Sequence, residues 1–289
     1  MRRALVLSGG GAKGVWQVGA CQHLIVERGY WFDVIAGVSA GAVNGAALAR
    51  AHDPHELVAA LEHLRAVWFG LRGDRDIYRR RWLGALGMMW GRRASLYETG
   101  PLRQVLAQHL DPPRVAASPI RLRVGYVDLL SGRYRTAGND HPALVDAVLA
   151  SCALPVVFPP VALRDGRELG VDGGVRHVTP LADAMRELAR EPTAGDEPDE
   201  VWVLVPEPLG RVRRSAVSHW LSVALRSLCR PTDILPDTAA TRRYLTLHAL
   251  HPRKALRGGM LDFDPAKLRT WYWDGLRTAR EVKAADLVA

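Results

Sequence analysis

The chain has 289 residues, of which 48% are hydrophobic and 24% charged. This is an ordinary globular balance and excludes disordered and low-complexity architectures. Its net charge of +9, from 39 Lys and Arg against 30 Asp and Glu, suits a surface drawn to polyanions. Only four of the cations are lysines, at 13, 254, 267 and 283, so an arginine-rich composition explains the charge equally well.

The first forty residues read as strand, helix, strand. Arg3 to Leu7 is a short apolar run that ends at Ser8 and three glycines. Val15 to Val26 has helical spacing and Gly29 stops it; Phe32 to Ala36 is a second strand and Ala40 to Arg50 a helix rich in Ala and Gly. Pro54 to Phe69 is helical, Ile120 to Leu130 alternates as a strand, and His141 to Ala150 is a helix with Asp140 as N-cap and Pro142 at its first position. Glu168 to Val171 is strand-like, Val201 to Val205 is a continuous apolar strand suited to a sheet interior, and Tyr244 to His248 is a further strand. Residues 191–200 form a polar loop, and Pro265 to Val288 is a terminal helix with Trp271, Tyr272 and Trp273 as core packing. Strands alternating with helices of this length predict an α/β fold with a mostly parallel sheet covered on its faces. No internal repeat or linker divides the chain, so one domain over 1–289 is expected. No run of 18 apolar residues occurs, which excludes a membrane-spanning helix. The apolar stretch Ala4 to Leu7 is too short for a secretory signal. The three cysteines, Cys21, Cys152 and Cys229, are odd in number and unpaired in spacing. They argue against a disulfide framework and a thiolate metal site, and for a reduced, cytoplasmic protein. No zinc finger, RNP box or basic zipper is present, so no nucleic-acid partner is expected.

Three motifs carry chemistry. Gly37-Val38-Ser39-Ala40-Gly41 fits G-x-S-x-G between a strand and a small-residue helix. A serine on such a turn is strained and exposed, as a nucleophile requires, and the helix points its positive end at the site. Gly9-Gly10-Gly11-Ala12-Lys13-Gly14 follows the first strand and opens a helix. It satisfies the dinucleotide pattern G-x-G-x-x-G, which would make the chain an NAD(P)-binding oxidoreductase. That reading needs an acid at the end of the second strand, and Asp33 stands at its start. A phosphate loop fails because Gly14 follows Lys13 where Ser or Thr is required. The other use of such a loop is an oxyanion hole built from backbone amides. Asp172-Gly173-Gly174 supplies a carboxylate at a turn. An Asp-Gly turn is common in its own right.

The order of these motifs resembles the patatin-like phospholipase family. Ala150-Ser151-Cys152-Ala153-Leu154-Pro155-Val156-Val157-Phe158-Pro159-Pro160 is similar to the family's Ala-Ser-x-Ala-x-Pro-x-x-Phe-x-Pro segment. Ser95-Leu96-Tyr97 with Pro101-Leu102 is similar to its Ser-Leu-Tyr-Asp segment, with Glu98 where Asp is usual. Lys13 takes the place of a frequent arginine, and Ser8 stands where some members have Asp. The likeness covers residues 4–180 well and the C-terminal third weakly. It implies a three-layer α/β/α sandwich, a Ser39–Asp172 dyad, and hydrolysis of lipid acyl esters without metal or cofactor. A triad with His177, His219, His248 or His251 is the mechanistic rival, since all four follow Asp172. A non-catalytic lipid-binding descendant is a third class. Trp82 and Trp90 bracket an apolar segment between Arg79-Arg80-Arg81 and Arg92-Arg93. Such a segment suits contact with an anionic membrane surface, a lid over an acyl pocket, or a buried helix.

Overall fold

A computed structural model describes residues 1–80, 95–190, 198–208 and 245–281. In chain order the elements are β1 (Arg3–Leu7), α1 (Gly14–Cys21), β2 (Val34–Val38), α2 (Ala40–Leu48), α3 (Pro54–Gly70), β3 (Arg79–Arg80) and β4 (Tyr97–Glu98). They continue with α4 (Gly100–His109), α5 (Pro112–Ala117), β5 (Arg121–Asp128), β6 (Arg133–Ala137), α6 (Leu144–Ser151), β7 (Val161–Leu163) and β8 (Glu168–Asp172). The last are α7 (Leu181–Arg190), β9 (Asp199–Leu204), β10 (Leu245–Leu250) and α8 (Pro265–Glu281).

Eight strands form one sheet in the order β10-β9-β1-β2-β5-β8-β7, with β6 also on β5. The five from β10 to β5 are parallel; β6 and β8 run antiparallel to β5, and β7 antiparallel to β8. Side chains alternate across the strands, so each face has its own core. Leu5, Leu7, Ile35, Leu122, Val124 and Leu204 face α1, α2, α3, α6 and α8. Ala4, Val6, Val34, Ala36, Val201 and Val203 face Ala184 and Leu188 of α7. The expected α/β/α sandwich with a mostly parallel sheet is the observed architecture.

Pairing on β5 sets the geometry of everything at the sheet's upper end. Val124 and Gly125 pair with both β2 and β6, so those two strands lie on opposite edges of β5. Tyr126, Val127 and Asp128 pair with both β6 and β8. Hence β8 shares an edge with β2 and ends where β2 leaves off. Val38 is opposite Gly125, and Asp172 is opposite Tyr126.

Most expected elements are present with shifted bounds. The second strand runs two residues beyond Ala36, because Gly37 and Val38 keep their pairing with β5. The helix expected from His141 starts at Leu144, and its N-cap is Ala143 without a side-chain bond. Asn139 is the cause: its side chain accepts from the Leu122 amide and donates to the carbonyls of Val115 and Ile120, which holds the preceding segment as a turn. Trp271 and Tyr272 are buried as expected, whereas Trp273 is exposed. The 82–90 segment, with Trp82 and Trp90, lies outside the described residues, as do His219 and Cys229. Among the described residues no helix is long and apolar enough to cross a membrane.

The terminal helix seats α1 by direct backbone approach. A Cβ on Gly275 would stand 2.0 Å from the Trp16 carbonyl oxygen, and one on Gly19 would stand 1.9 Å from that of Tyr272. Neither obstacle is a side chain that can turn away. Gly275→Ala is therefore expected to destabilise the fold by about 1–3 kcal/mol, as overpacking does; thermal unfolding that leaves Tm unchanged would contradict this packing.

Candidate active site

Ser39 sits between β2 and α2 with φ 56° and ψ −129°. A non-glycine residue there carries roughly 1–3 kcal/mol of strain, which the surroundings must hold. They do so by contact and by hydrogen bonds. A Cβ on Gly37 would lie 2.2 Å from the Gly41 carbonyl oxygen, and one on Gly41 would lie 2.1 Å from that of Leu7. The two glycines therefore permit the turn to close on itself and on the end of β1. The Ser39 carbonyl accepts the amide of Ala42 at 2.9 Å. The Ser39 amide donates to Ser151 Oγ at 2.9 Å, and the Ser151 hydroxyl donates to the Gly125 carbonyl at 2.6 Å. Ser151, fully buried, thus ties the strained turn to β5. In the sequence Ser151 is one residue of the Ala150–Pro160 segment, and the local signal for its role is a lone hydroxyl at the end of a helix dense in apolar residues.

Asp172 ends β8, is 2% exposed, and carries its carboxylate beside Ser39. Oδ1 accepts the Gly174 amide at 2.7 Å. Oδ2 is buried with no partner that meets hydrogen-bond geometry, although the Ser39 hydroxyl is near enough to draw its pKa down. Burial is the larger effect and wins: the pKa is pushed up from 3.8 to about 6. Cys152 lies in the same neighbourhood. Burial, and then the Asp172 charge, push its thiol pKa well above the usual range, which keeps it protonated and inert.

The glycine loop lies across from the turn. A Cβ on Gly9 would touch the Ser39 Cβ at 3.3 Å. Within the loop the Gly9 amide donates to the Val178 carbonyl at 2.9 Å, Ala12 to Met260 at 2.7 Å, and Lys13 to Gly10 at 3.2 Å. The amides of Gly10 and Gly11 have no acceptor among the described residues. Gly11 adopts φ +56°, and a Cβ there would strike the Met260 carbonyl oxygen at 2.1 Å. Gly14 N–H turns back onto the loop carbonyls and opens α1. Lys13 is buried, and its ammonium pairs with Glu207. Ser8 Oγ donates to the Val178 carbonyl and accepts from Thr179. Beneath the loop, Gln17 donates to the carbonyls of Ser8 and Leu204, and Asn44 links Gln17, the Gly14 carbonyl and Trp68.

An apolar cavity opens from Ser39 and Gly11 into the space between α2, α3 and α4. Its walls include Val43, Trp68, Leu102, Leu154, Phe158 and Phe263. The two flanking motifs meet beside it: Leu96 and Tyr97 donate their amides to the carbonyls of Val156 and Val157, both at 3.0 Å.

The dinucleotide reading fails on placement. Asp33 lies before β2, where its carboxylate accepts the Arg3 amide at 2.9 Å. Since β1 and β2 are parallel, this is the opposite end of the sheet from the glycine loop. The three histidine rivals among the described residues also make their contacts elsewhere. His248 stacks on Trp202 at the β10 edge, His251 faces the Pro252 carbonyl, and His177 packs edge-on to Tyr134. None of these three hydrogen-bonds to Ser39 or Asp172.

The fold and site define a class: an α/β/α sandwich with a serine at a strained strand-to-helix turn, set beside a buried carboxylate and a glycine loop. A family model of patatin-like phospholipases matches residues 5–185, and the chain belongs to that family. It is 27% identical over 210 residues to a cGAMP-activated phospholipase of Escherichia coli, covering 65% of this chain and 56% of that protein. It is 28% identical over 269 residues to an uncharacterised NTE family protein of Mycobacterium tuberculosis, covering 90% of this chain and 43% of the other. The chain thus spans roughly half the length of these relatives. Among solved structures, VipD from Legionella pneumophila aligns over 97% of this chain and 66% of its own, at 16% identity and a TM-score of 0.46.

Two outcomes follow from this geometry. Ser151→Ala removes the acceptor of the Ser39 amide and strands the Gly125 carbonyl, a cost of about 1–3 kcal/mol; equal denaturation midpoints for variant and wild type would contradict it. Asp172 binds its proton more tightly folded (about 6) than unfolded (near 3.8). Its ionisation therefore opposes folding, and stability falls as pH rises from about 4 to 6. The penalty at neutral pH is of the order of 3 kcal/mol. Asp172→Asn, which keeps the Gly174 bond, is expected to raise Tm at pH 7.5 and to lose that advantage at pH 4.

Proposed function

We propose that the chain is a serine hydrolase of lipid acyl esters, of the phospholipase A or lysophospholipase type. One observation carries the reading: among the described residues, a fully buried carboxylate oxygen without a partner lies beside a serine held at positive φ and near two loop amides that have no acceptor. Ser39 Oγ attacks the ester carbonyl and Asp172 Oδ2 takes the hydroxyl proton. The resulting oxyanion lies on the Gly10 and Gly11 amides, with the positive end of α2 adding to their field. The alcohol leaves with a proton returned by Asp172, and acyl-Ser39 remains with its chain in the apolar cavity. Asp172 then takes a proton from water, which hydrolyses the acyl-enzyme. A carboxylate with a pKa near 6 is a stronger base than a free one and is still ionised at neutral pH.

Membership of the patatin-like family supports this reading, as do relatives named as phospholipases. The carbon-lined cavity beside Ser39 favours a fatty acyl group over a small polar one.

Hydrolysis of p-nitrophenyl esters of graded chain length tests the proposal. Wild-type activity should fall by about 100-fold or more in both Ser39→Ala and Asp172→Asn, the scale of a lost general base. Survival of activity in folded Ser39→Ala would place the chemistry elsewhere. The base must be ionised, so kcat/KM should decline about tenfold per pH unit below about 6. A profile flat down to pH 4.5 would remove Asp172 from the role.

A further inference from the structure

A second cavity, of about 440 Å³, lies on the α7 side of the site. The turn between β5 and β6 builds one wall, and the segment from Arg176 into α7 builds the other. Three guanidinium groups line it: Arg133, Arg176 and Arg186. Arg186 is paired with Asp183 at 2.9 Å, and Asp183 also accepts the Tyr134 hydroxyl at 2.7 Å. The one carboxylate in the wall is therefore already engaged on two sides. Arg133 and Arg176 make no side-chain ion pair or hydrogen bond with any described residue. The wall also includes Ala182 and Asp183 in the first turn of α7, whose amides have no acceptor among the described residues. Two unpaired guanidiniums, a paired one, and the open N-terminus of a ten-residue helix converge on one concave space. Each of these favours an oxyanion, and arginine suits phosphate through its planar fork of donors.

The cavity is joined to the catalytic loops. Residues 173–179 lead directly from Asp172 into its wall. Val178, between the lining residues His177 and Thr179, accepts the Gly9 amide at 2.9 Å and the Ser8 hydroxyl at 3.1 Å. Thr179 bonds to Ser8 as well. One wall of the cavity is thus hydrogen-bonded to the glycine loop, and the cavity lies on the α7 side of the sheet, opposite the apolar cavity. In a glycerophospholipid the phosphate is separated from the ester carbonyls only by the glycerol carbons. Its acyl chain and its phosphate leave the scissile ester in different directions.

We propose that this cavity binds the phosphate of a glycerophospholipid headgroup, through Arg133 and Arg176 and the first turn of α7, while the ester is presented to Ser39. The assignment rests on the ester-hydrolase reading above and adds to it the residues that hold the headgroup: with them in place, neutral glycerides are poorer substrates than glycerophospholipids.

Two arms test it on the full chain. The first is calorimetric titration of sn-glycerol 3-phosphate into Ser39→Ala, with and without Arg133→Gln and Arg176→Gln together. Binding that weakens at least tenfold with both arginines changed is expected; no saturable binding overturns the site. The second is the ratio of kcat/KM for dioleoylphosphatidylglycerol over dioleoylglycerol in mixed micelles. That ratio should fall at least tenfold in the double arginine variant. It should stay within twofold in Arg72→Gln with Arg277→Gln, which removes the same charge elsewhere. An unchanged ratio despite weakened glycerol 3-phosphate binding would assign the cavity to free phosphate compounds and overturn the headgroup role. Equal losses in the two double variants would reduce the effect to general surface charge and also overturn it. If wild type hydrolyses neither lipid, the hydrolase reading fails, and the calorimetric arm alone decides whether the cavity binds phosphate.

Discussion

One edge of β5 is shared end to end by two strands of opposite direction, and the candidate site depends on that exchange. β2 leaves the edge at Val38 and β8 arrives there at Asp172. A parallel strand delivers its C-terminus upward, and an antiparallel strand delivers its C-terminus downward. On a common edge the two C-termini must meet. Ser39 and Asp172 are thus brought together by backbone pairing, before any side-chain interaction is counted. The energetic demands of the site follow from this meeting: a serine at positive φ and a carboxylate shut off from water, both unfavourable alone.

Those demands are met by neighbouring polar groups and by the loop's packing. Ser151 satisfies the Ser39 amide and, through Gly125, ties the turn to the strand that arranges the edge. Gly174 satisfies one oxygen of Asp172 and leaves the other unmet. Gln17 and Asn44 occupy the buried polar groups under the glycine loop, so that the open amides are those facing the site. The C-terminal third contributes as well. Met260 holds the Ala12 amide, Glu207 takes the Lys13 charge, and α8 packs backbone to backbone on α1. The glycine loop is therefore shaped from both ends of the chain, although the family likeness in the sequence is weak beyond residue 180.

Local signals in the sequence were strongest where a single residue type answers a steric demand. Gly37 and Gly41 around Ser39 were legible because only glycine avoids the carbonyls of Gly41 and Leu7. Interior strands such as β1 and β9 were legible as unbroken apolar runs. β6 was not, since Arg133 to Ala137 is largely exposed and carries no apolar stripe. The start of α6 was misplaced because Asn139, rather than Asp140, takes the local hydrogen bonds. Trp273 looked like core by type, yet the helical turn aims it away from α1 while Tyr272 beside it is buried.

By itself the sequence determined the alternation of strands and helices, the serine turn, the glycine loop and the candidate acid, because each is written in contiguous residues. Only the tertiary structure decided which of them meet. It separated Asp33 from the glycine loop by the length of a strand, and left His177, His248 and His251 without a hydrogen bond to Ser39 or Asp172. It also gathered Arg133 with Arg176 from two distant segments into one cavity wall. The physical reason is that strand direction and pairing order are long-range properties: a residue's spacing along the chain does not contain the edge on which its strand will be paired.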